Sequence, residues 1–241
     1  MKRVYIDLHI HSALSPCAEE EMTPNNIVNM ASLKGLQFIA VTDHNAIDNV
    51  APTIAAAANH NLQVIPGIEI TTQEEVHLLA YFQTAGQLVH FYQEVKNTLP
   101  SLNNRPDIFG HQYIFDQSDQ IISEDPRLLM NAMQISFDQM VHLIRKHHGI
   151  PVPAHVNRNS FSVLSNLGFI PAGLPINTIE VVIDPQNKQE ILQFEQYRQI
   201  ISSDAHDLGS ILEQVFFIEL NEIALRELIN WLDTPKAGDE T

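Results

Sequence analysis

Two histidines at i and i+2 close the first β-prone run of this chain, Val4-Tyr5-Ile6-Asp7-Leu8-His9-Ile10-His11-Ser12. In an extended segment that spacing places both imidazoles on one face. With Asp7 beside them they make half of a metal site, with a carboxylate to orient it. The chain supplies further groups of the same kind. Asp43 and His44 follow a second apolar run, Glu69 lies near the end of a third and His77 opens a fourth. His155 ends a fifth, and Asp204 and His206 follow a sixth. Mixed imidazole and carboxylate donors suit Zn, Mn or Fe, whereas Ca and Mg prefer all-oxygen shells. These nine residues exceed the needs of one ion. At about four ligands per ion, with a carboxylate bridging, two or three divalent ions are implied. Such a cluster generates a metal-bound hydroxide at neutral pH and clamps an anionic substrate in line with it. That is the chemistry of phosphate ester hydrolysis.

The elements that must position these residues alternate between strand and helix. Thr23-Pro24 caps a helix that runs to about Lys34 and stops at Gly35. Gln37 to Thr42 reads as a buried strand leading to Asp43-His44, and Ile47 to His60 as an alanine-rich helix. Gln63 to Ile70 is a strand interrupted by Pro66-Gly67. The run from His77 to Phe82 follows too closely for a crossover helix, so it returns antiparallel and brings His77 near Glu69. Gln87 to Leu99 is helical, and 100–124 is an irregular excursion in which Arg105 and His111 are candidates for a lid. Helices are expected at Asp125–Ala132, Ser136–His148, Phe161–Leu167, Lys188–Tyr197 and Glu222–Leu232. Strands are expected at Pro151–Val156, Thr178–Ile183, Ile200–Ser203 and Val215–Leu220. This alternation predicts one α/β domain over 1–233, a parallel-stranded barrel, with a frayed tail at 234–241. Active sites of such folds collect at the C-terminal rim of the strands, where the nine residues fall. His60, His90, His142, His147 and His148 lie on predicted helices instead and read as surface or packing residues.

Composition narrows the partners. With 13 basic and 29 acidic residues the net charge is −16, which disfavours sequence-independent gripping of long nucleic acid. A single cysteine, Cys17, excludes an internal disulfide and fits a reducing cytoplasm. No stretch approaches the roughly 20 apolar residues of a membrane span, and Met1-Lys2-Arg3 runs directly into a strand, unlike a signal peptide.

Asp7-Leu8-His9-Ile10-His11-Ser12, Val41-Thr42-Asp43-His44, Gly67-Ile68-Glu69, His77, Ala154-His155 and Ser203-Asp204-Ala205-His206 resemble, in order, the successive motifs of the polymerase and histidinol phosphatase (PHP) superfamily. The resemblance implies a distorted seven-stranded barrel of the (β/α)7 type and a trinuclear site that hydrolyses phosphoesters. It implies that His9, His11, Glu69 and Asp204 hold one ion, and that Glu69 bridges to a second held by His77 and His155. His44 and His206 would hold the third. Many relatives complete that third site with a histidine six residues beyond the second histidine of the first motif, where this chain has Cys17. Cys17 is then either a thiolate ligand or a small packing residue. Glu69, Asp204 and His206 are the expected catalytic groups, and Asp7 and Asp43 orient ligands from behind. Arg158, three residues past His155, is the best placed cation for a substrate phosphate, with a plain surface arginine as the alternative. Glu180, inside a strand, is placed to support a ligand.

The function expected is metal-dependent hydrolysis of a phosphomonoester of a small metabolite or nucleotide. The alternatives are a phosphodiesterase or exonuclease on short nucleic acid, and a non-catalytic metal-binding regulatory module.

Overall fold

A computed structural model of the protein describes residues 1–182 and 194–236. The first strand, β1 (Lys2–Ile10), is followed by α1 (Pro24–Leu33), which begins as its sequence dictates. The Thr23 side chain accepts a hydrogen bond from the Asn26 N–H, and Pro24 occupies the first turn. Gly35, at φ +75°, ends it. β2 (Phe38–Val41), α2 (Val50–Ala56) and β3 (Gln63–Val64) come next, then β4 (Gly67–Thr71) and β5 (His77–Tyr81). α3 (Ala85–Val95), α4 (Pro106–Phe109), β6 (Tyr113–Phe115), β7 (Ile121–Glu124) and α5 (Phe137–Lys146) form the middle. β8 (Ile150–Pro153), α6 (Val163–Leu167), β9 (Thr178–Glu180), β10 (Arg198–Ile200), β11 (Phe217–Leu220) and a last helix, Leu225–Asp233, complete the described chain.

β1, β2 and β3 form a parallel ladder, with β11 antiparallel on the other edge of β1. β4, β5 and β8 pair antiparallel, and β9 and β10 pair parallel. Single links join these ladders. Ile10 bridges Ala205, His44 bridges Glu69, and the Val156 N–H donates to the Glu180 carbonyl at 2.9 Å. The strands thus make separate mixed ladders and not one continuous parallel ladder. Two causes are legible. The turn between β4 and β5 is too short for a crossover, and Pro66, Pro151 and Pro153 remove backbone donors where a ladder would otherwise continue.

Val4, Ile6 and Leu8 of β1 meet Phe38, Leu79, Val152 and Ile200 in one buried cluster. α3 and α5 close a second over β4 and β5 with Phe91, Phe137 and Ile144, and α1 covers a third with Ile27 and Val28. Each such side chain contributes about 1.5–3 kcal/mol when buried. Stability therefore resides in these clusters, below the rim that carries the polar groups.

Three expectations change. Asp125–Ala132 is not helical, because its backbone is satisfied another way. Gln112 donates to the carbonyls of Asp125 and Arg127, Asp125 accepts from the Arg127 N–H, and Pro126 offers no donor. The 100–124 excursion is not irregular but contains α4 and the β6–β7 hairpin. The strand expected at Ile200–Ser203 lies earlier, at Arg198–Ile200, because Ser203 is held by Asp7 instead of a neighbouring strand. The helix expected at Lys188–Tyr197 and the tail at 234–241 lie largely outside the described residues.

Candidate metal centre and pocket

The two first-strand histidines are held in place from behind. His9 Nδ1 stands 3.0 Å from Glu180 Oε2, and His11 Nδ1 stands 2.9 Å from Ser15 Oγ. Ser15 Oγ donates in turn to Asp43 Oδ1 at 2.8 Å, which makes it an acceptor toward His11. With both Nδ1 atoms donating, each neutral ring has its lone pair on Nε2, and these two nitrogens face one another at 3.1 Å. Asp204 Oδ1 lies 3.1 Å from His11 Nε2 and 3.2 Å from His9 Nε2, and the Glu69 oxygens lie 3.2 and 3.3 Å from the same pair. Four donors of two chemical kinds converge on one buried point.

Glu69 extends the cluster outward. Its Oε2 is 3.0 Å from His44 Nδ1, and its Oε1 is 3.0 Å from His77 Nδ1 and 3.6 Å from His155 Nε2. Both Glu69 oxygens, together with His44 Nδ1 and His155 Nδ1, are buried without an aligned hydrogen bond. Closeness without alignment is what lone pairs aimed at a common interior point produce, and cations would satisfy it. The donor set therefore fits divalent transition ions. Among the described residues, three groups of side-chain atoms are close enough to share an ion: His9–His11–Asp204, His44–Glu69–His77 and His11–His44–His206.

Electrostatics agree with this geometry. Burial alone would lower the pKa of His11, but Asp204 and Glu69 outweigh it and raise it to about 9. His44 is likewise raised to about 9 by Glu69 and Cys17, against burial and the charge on His11. Glu69 is held well below the carboxylate range, since His77, His9 and His44 overcome its burial. His206 is lowered to about 4 by burial and by His11, so it is a neutral donor at pH 7. Negative charge is thus concentrated where protons, or cations in their place, must sit.

Strain is stored at the same rim. His155 and Asp204 adopt φ of +30° and +52°. Non-glycine residues held there cost on the order of 1–3 kcal/mol each and cluster at functional sites. The sharp turn after each strand aims the side chain inward while the chain itself departs.

The model of the PHP domain matches residues 7–166. The chain belongs to the PHP domain family. A 3′,5′-nucleoside bisphosphate phosphatase of Chromobacterium violaceum is 31% identical over 77 residues, covering 31% of this chain and 26% of that protein. An uncharacterized protein of Methanocaldococcus jannaschii is 36% identical over 78 residues, covering 28% of this chain and 44% of that protein. The chain thus matches less than half the length of these curated relatives. Among solved structures, the lesion-specific endonuclease Q of Pyrococcus furiosus is similar with a TM-score of 0.73 at 18% identity, over 96% of this chain and 56% of that one. An amidohydrolase of Chromobacterium violaceum, solved with bound sulfate and no metal, has a TM-score of 0.60 at 18% identity, over 99% and 100% of the two chains. These likenesses show a shared PHP fold, and members of the family are metal-dependent phosphoesterases.

Within this PHP domain the remaining expected residues divide. Arg158 lies at the pocket mouth, 41% exposed, and its guanidinium is paired with Asp204. Cys17 is exposed and beside His44, and it belongs to none of the three ligand groups. Asp43 orients His11 through Ser15. Asp7 faces away from the histidines, with Oδ1 accepting from the Ser203 N–H at 3.0 Å and Oδ2 from the Leu212 N–H at 2.9 Å. It therefore fixes the turn that carries Asp204, and Glu180 does for His9 what Asp7 was expected to do. Arg105 and His111 do not form a lid over the pocket: each is satisfied within the excursion, by Asp107 and Glu124. Sequence reading missed Ser15, Ser160 and Phe161. Ser15 lies four residues past His11 in the same loop, a spacing that could have flagged it, whereas Phe161 gave no signal.

The pocket, about 160 Å³, opens above this cluster and is lined by His44, His77, His155 and His206 with Arg158, Ser160 and Phe161 at its edge. No described helix is long and apolar enough to cross a membrane.

Proposed function

We propose that this chain hydrolyses a phosphate ester, a phosphomonoester of a small metabolite or nucleotide. The observation that carries the reading is the placement of a single exposed arginine, Arg158, on Asp204 directly beside the buried cluster. An anion-binding fork and a set of metal-ligating lone pairs then face the same small pocket. His9, His11, Glu69 and Asp204 would hold one ion, Glu69 with His77 and His155 a second, and His44 with His206 and Cys17 a third. We read the strands around them as a distorted barrel interrupted at the site. Zinc, manganese or iron bound there lowers the pKa of water and offsets charge on the phosphoryl oxygens.

The chain's own residues do the rest. Arg158 holds two phosphate oxygens, and Asp204 keeps its guanidinium from swinging into solvent. Neutral His206 and His77 add no positive charge that would repel a cation. Glu180, Ser15 and Asp43 keep His9 and His11 in the tautomer that leaves Nε2 free.

The fold likeness to endonuclease Q, one structure of which holds a 27-mer duplex with an abasic lesion, favours a second reading as a phosphodiesterase or nuclease. The net charge of −16 weighs against it for long duplexes. Phosphate release from a panel of monoesters, compared with cleavage of bis-p-nitrophenyl phosphate at several added metals, separates the two. Monoesters are expected to react faster. Faster diester cleavage would establish the second reading, and no release from any ester would end both.

A further inference from the structure

Phe161 sits at the mouth of the pocket in a conformation that apolar packing does not explain. Its ring lies on the His77 imidazole, with centroids 4.9 Å apart and planes inclined by 24°, yet the residue is 46% exposed. Its backbone is left-handed, at φ +52°, which for a bulky side chain is a genuine outlier. The loop that carries it is tied at several points. The Arg158 N–H donates to the His155 carbonyl at 2.9 Å, Ser162 Oγ donates to the Arg158 carbonyl at 2.7 Å, and the His77 N–H donates to the Phe161 carbonyl at 2.8 Å. An exposed aromatic ring is therefore held rigidly outward, three residues from the arginine that faces the phosphate position. Strain of this kind persists where the surroundings over-determine it, and it marks functional positions.

Size decides what the ring is for. A pocket of about 160 Å³ is smaller than the roughly 300–1,000 Å³ of sites that enclose a whole small ligand. On the phosphoesterase reading the phosphate end of a substrate would enter and the remainder would lie against the rim, where Phe161 is the one apolar side chain among the described lining residues. A planar π-surface there favours a flat aromatic partner.

We propose that Phe161 is a stacking platform for a nucleobase, which makes nucleoside phosphates the substrate class of this site. The inference rests on the phosphoesterase reading and deepens it. Arg158 would take the phosphate, the sugar would bridge the gap, and the base would lie on the outer part of the ring. Phe161 would then be a specificity residue, distinct from the metal ligands.

The test compares adenosine 5′-monophosphate with ribose 5-phosphate, which differ only by the base, on the wild type, Phe161→Leu and Phe161→Trp. Each is measured by phosphate release and by calorimetric binding. Wild type is expected to prefer the nucleotide, through a lower KM and tighter binding. Phe161→Leu should cut that preference by about 5- to 150-fold, the range of one base–aromatic stack, and Phe161→Trp should keep it. An equal loss on both substrates would show that the ring only positions His77, and an unchanged preference would show that it contacts neither; both overturn the platform. Calorimetric binding of the nucleotide that depends on Phe161, without hydrolysis of any ester, would uphold the platform and remove the phosphoesterase reading instead.

Discussion

His9 near the end of β1 and His206 in the loop after β10 belong to one cluster, but they are held by different means. His9 is fully buried, with Nδ1 on the Glu180 carboxylate and Nε2 among Asp204, Glu69 and His11. The His206 side chain is 31% exposed, with Nδ1 on a backbone carbonyl two residues away, and it stacks on His11 at 4.3 Å. The inner half is fixed by buried charges reaching from three other strands or their ends. The outer half, with Arg158, Phe161 and Cys17, is fixed by loops. A sealed half in which His9 and His11 each have a partner behind them suits metal and chemistry, whereas a loop-built half open to water suits substrate choice.

The largest effect should come from the sealed half. Asp204→Asn and His9→Ala should each lower turnover by more than the roughly 100-fold that a supporting residue can account for. The circular dichroism spectrum should not change, because the packed clusters lie below the rim. Near-normal turnover with full metal in either variant would misplace the chemistry.

Arg158→Ala probes the open half. It should raise KM and lower kcat/KM by about 10- to 150-fold, the equivalent of about 1.5–3 kcal/mol for a charge-assisted contact, with metal content unaltered. Unchanged kinetics would return Arg158 to the surface. Glu180→Gln probes the support of His9. Chelator competition should show metal affinity reduced by about 10- to 100-fold, and an unaltered affinity would mean that the ring is held by packing alone.

Cys17 tests where the two halves meet. If its thiolate closes the third position, Cys17→Ser should lose about one ion per chain in metal analysis and Cys17→His should regain it. Full metal content in Cys17→Ser would leave His11, His44 and His206 to serve without it.

The smallest effect concerns protons. In metal-stripped protein His11 and His44 titrate at about 9, above the ordinary 6.5 of an unfolded chain. Their protonated forms stabilise the fold fully below pH 6.5, and that contribution is lost as pH rises through 9. The Tm of the metal-free protein should therefore fall between these values, and added zinc should flatten the profile. A Tm that rises over that window without metal would contradict the charge distribution of the sealed half.

Local rules made much of the sealed half legible. Strand alternation puts His9 and His11 on one face, and Thr23-Pro24 and Gly35 bound the first helix. The short return from β4 to β5 sets His77 beside Glu69. Each of these depends on neighbours within a few residues, so the sequence by itself determined them. Tertiary structure decided the rest. Glu180 supports a ligand position as its strand placement suggests, but Asp7 holds the Asp204 turn and not the histidines beside it, because the partner of a buried carboxylate is set by which strand end packs against it, across 171 residues for Glu180 and His9. The Asp125–Ala132 stretch lost its helix to a glutamine thirteen residues away, which captured its carbonyls. Phe161 carries no pattern that separates it from a core phenylalanine. Its place at the pocket is fixed by the His77 N–H, which donates to its carbonyl only once β5 has met the loop that follows β8.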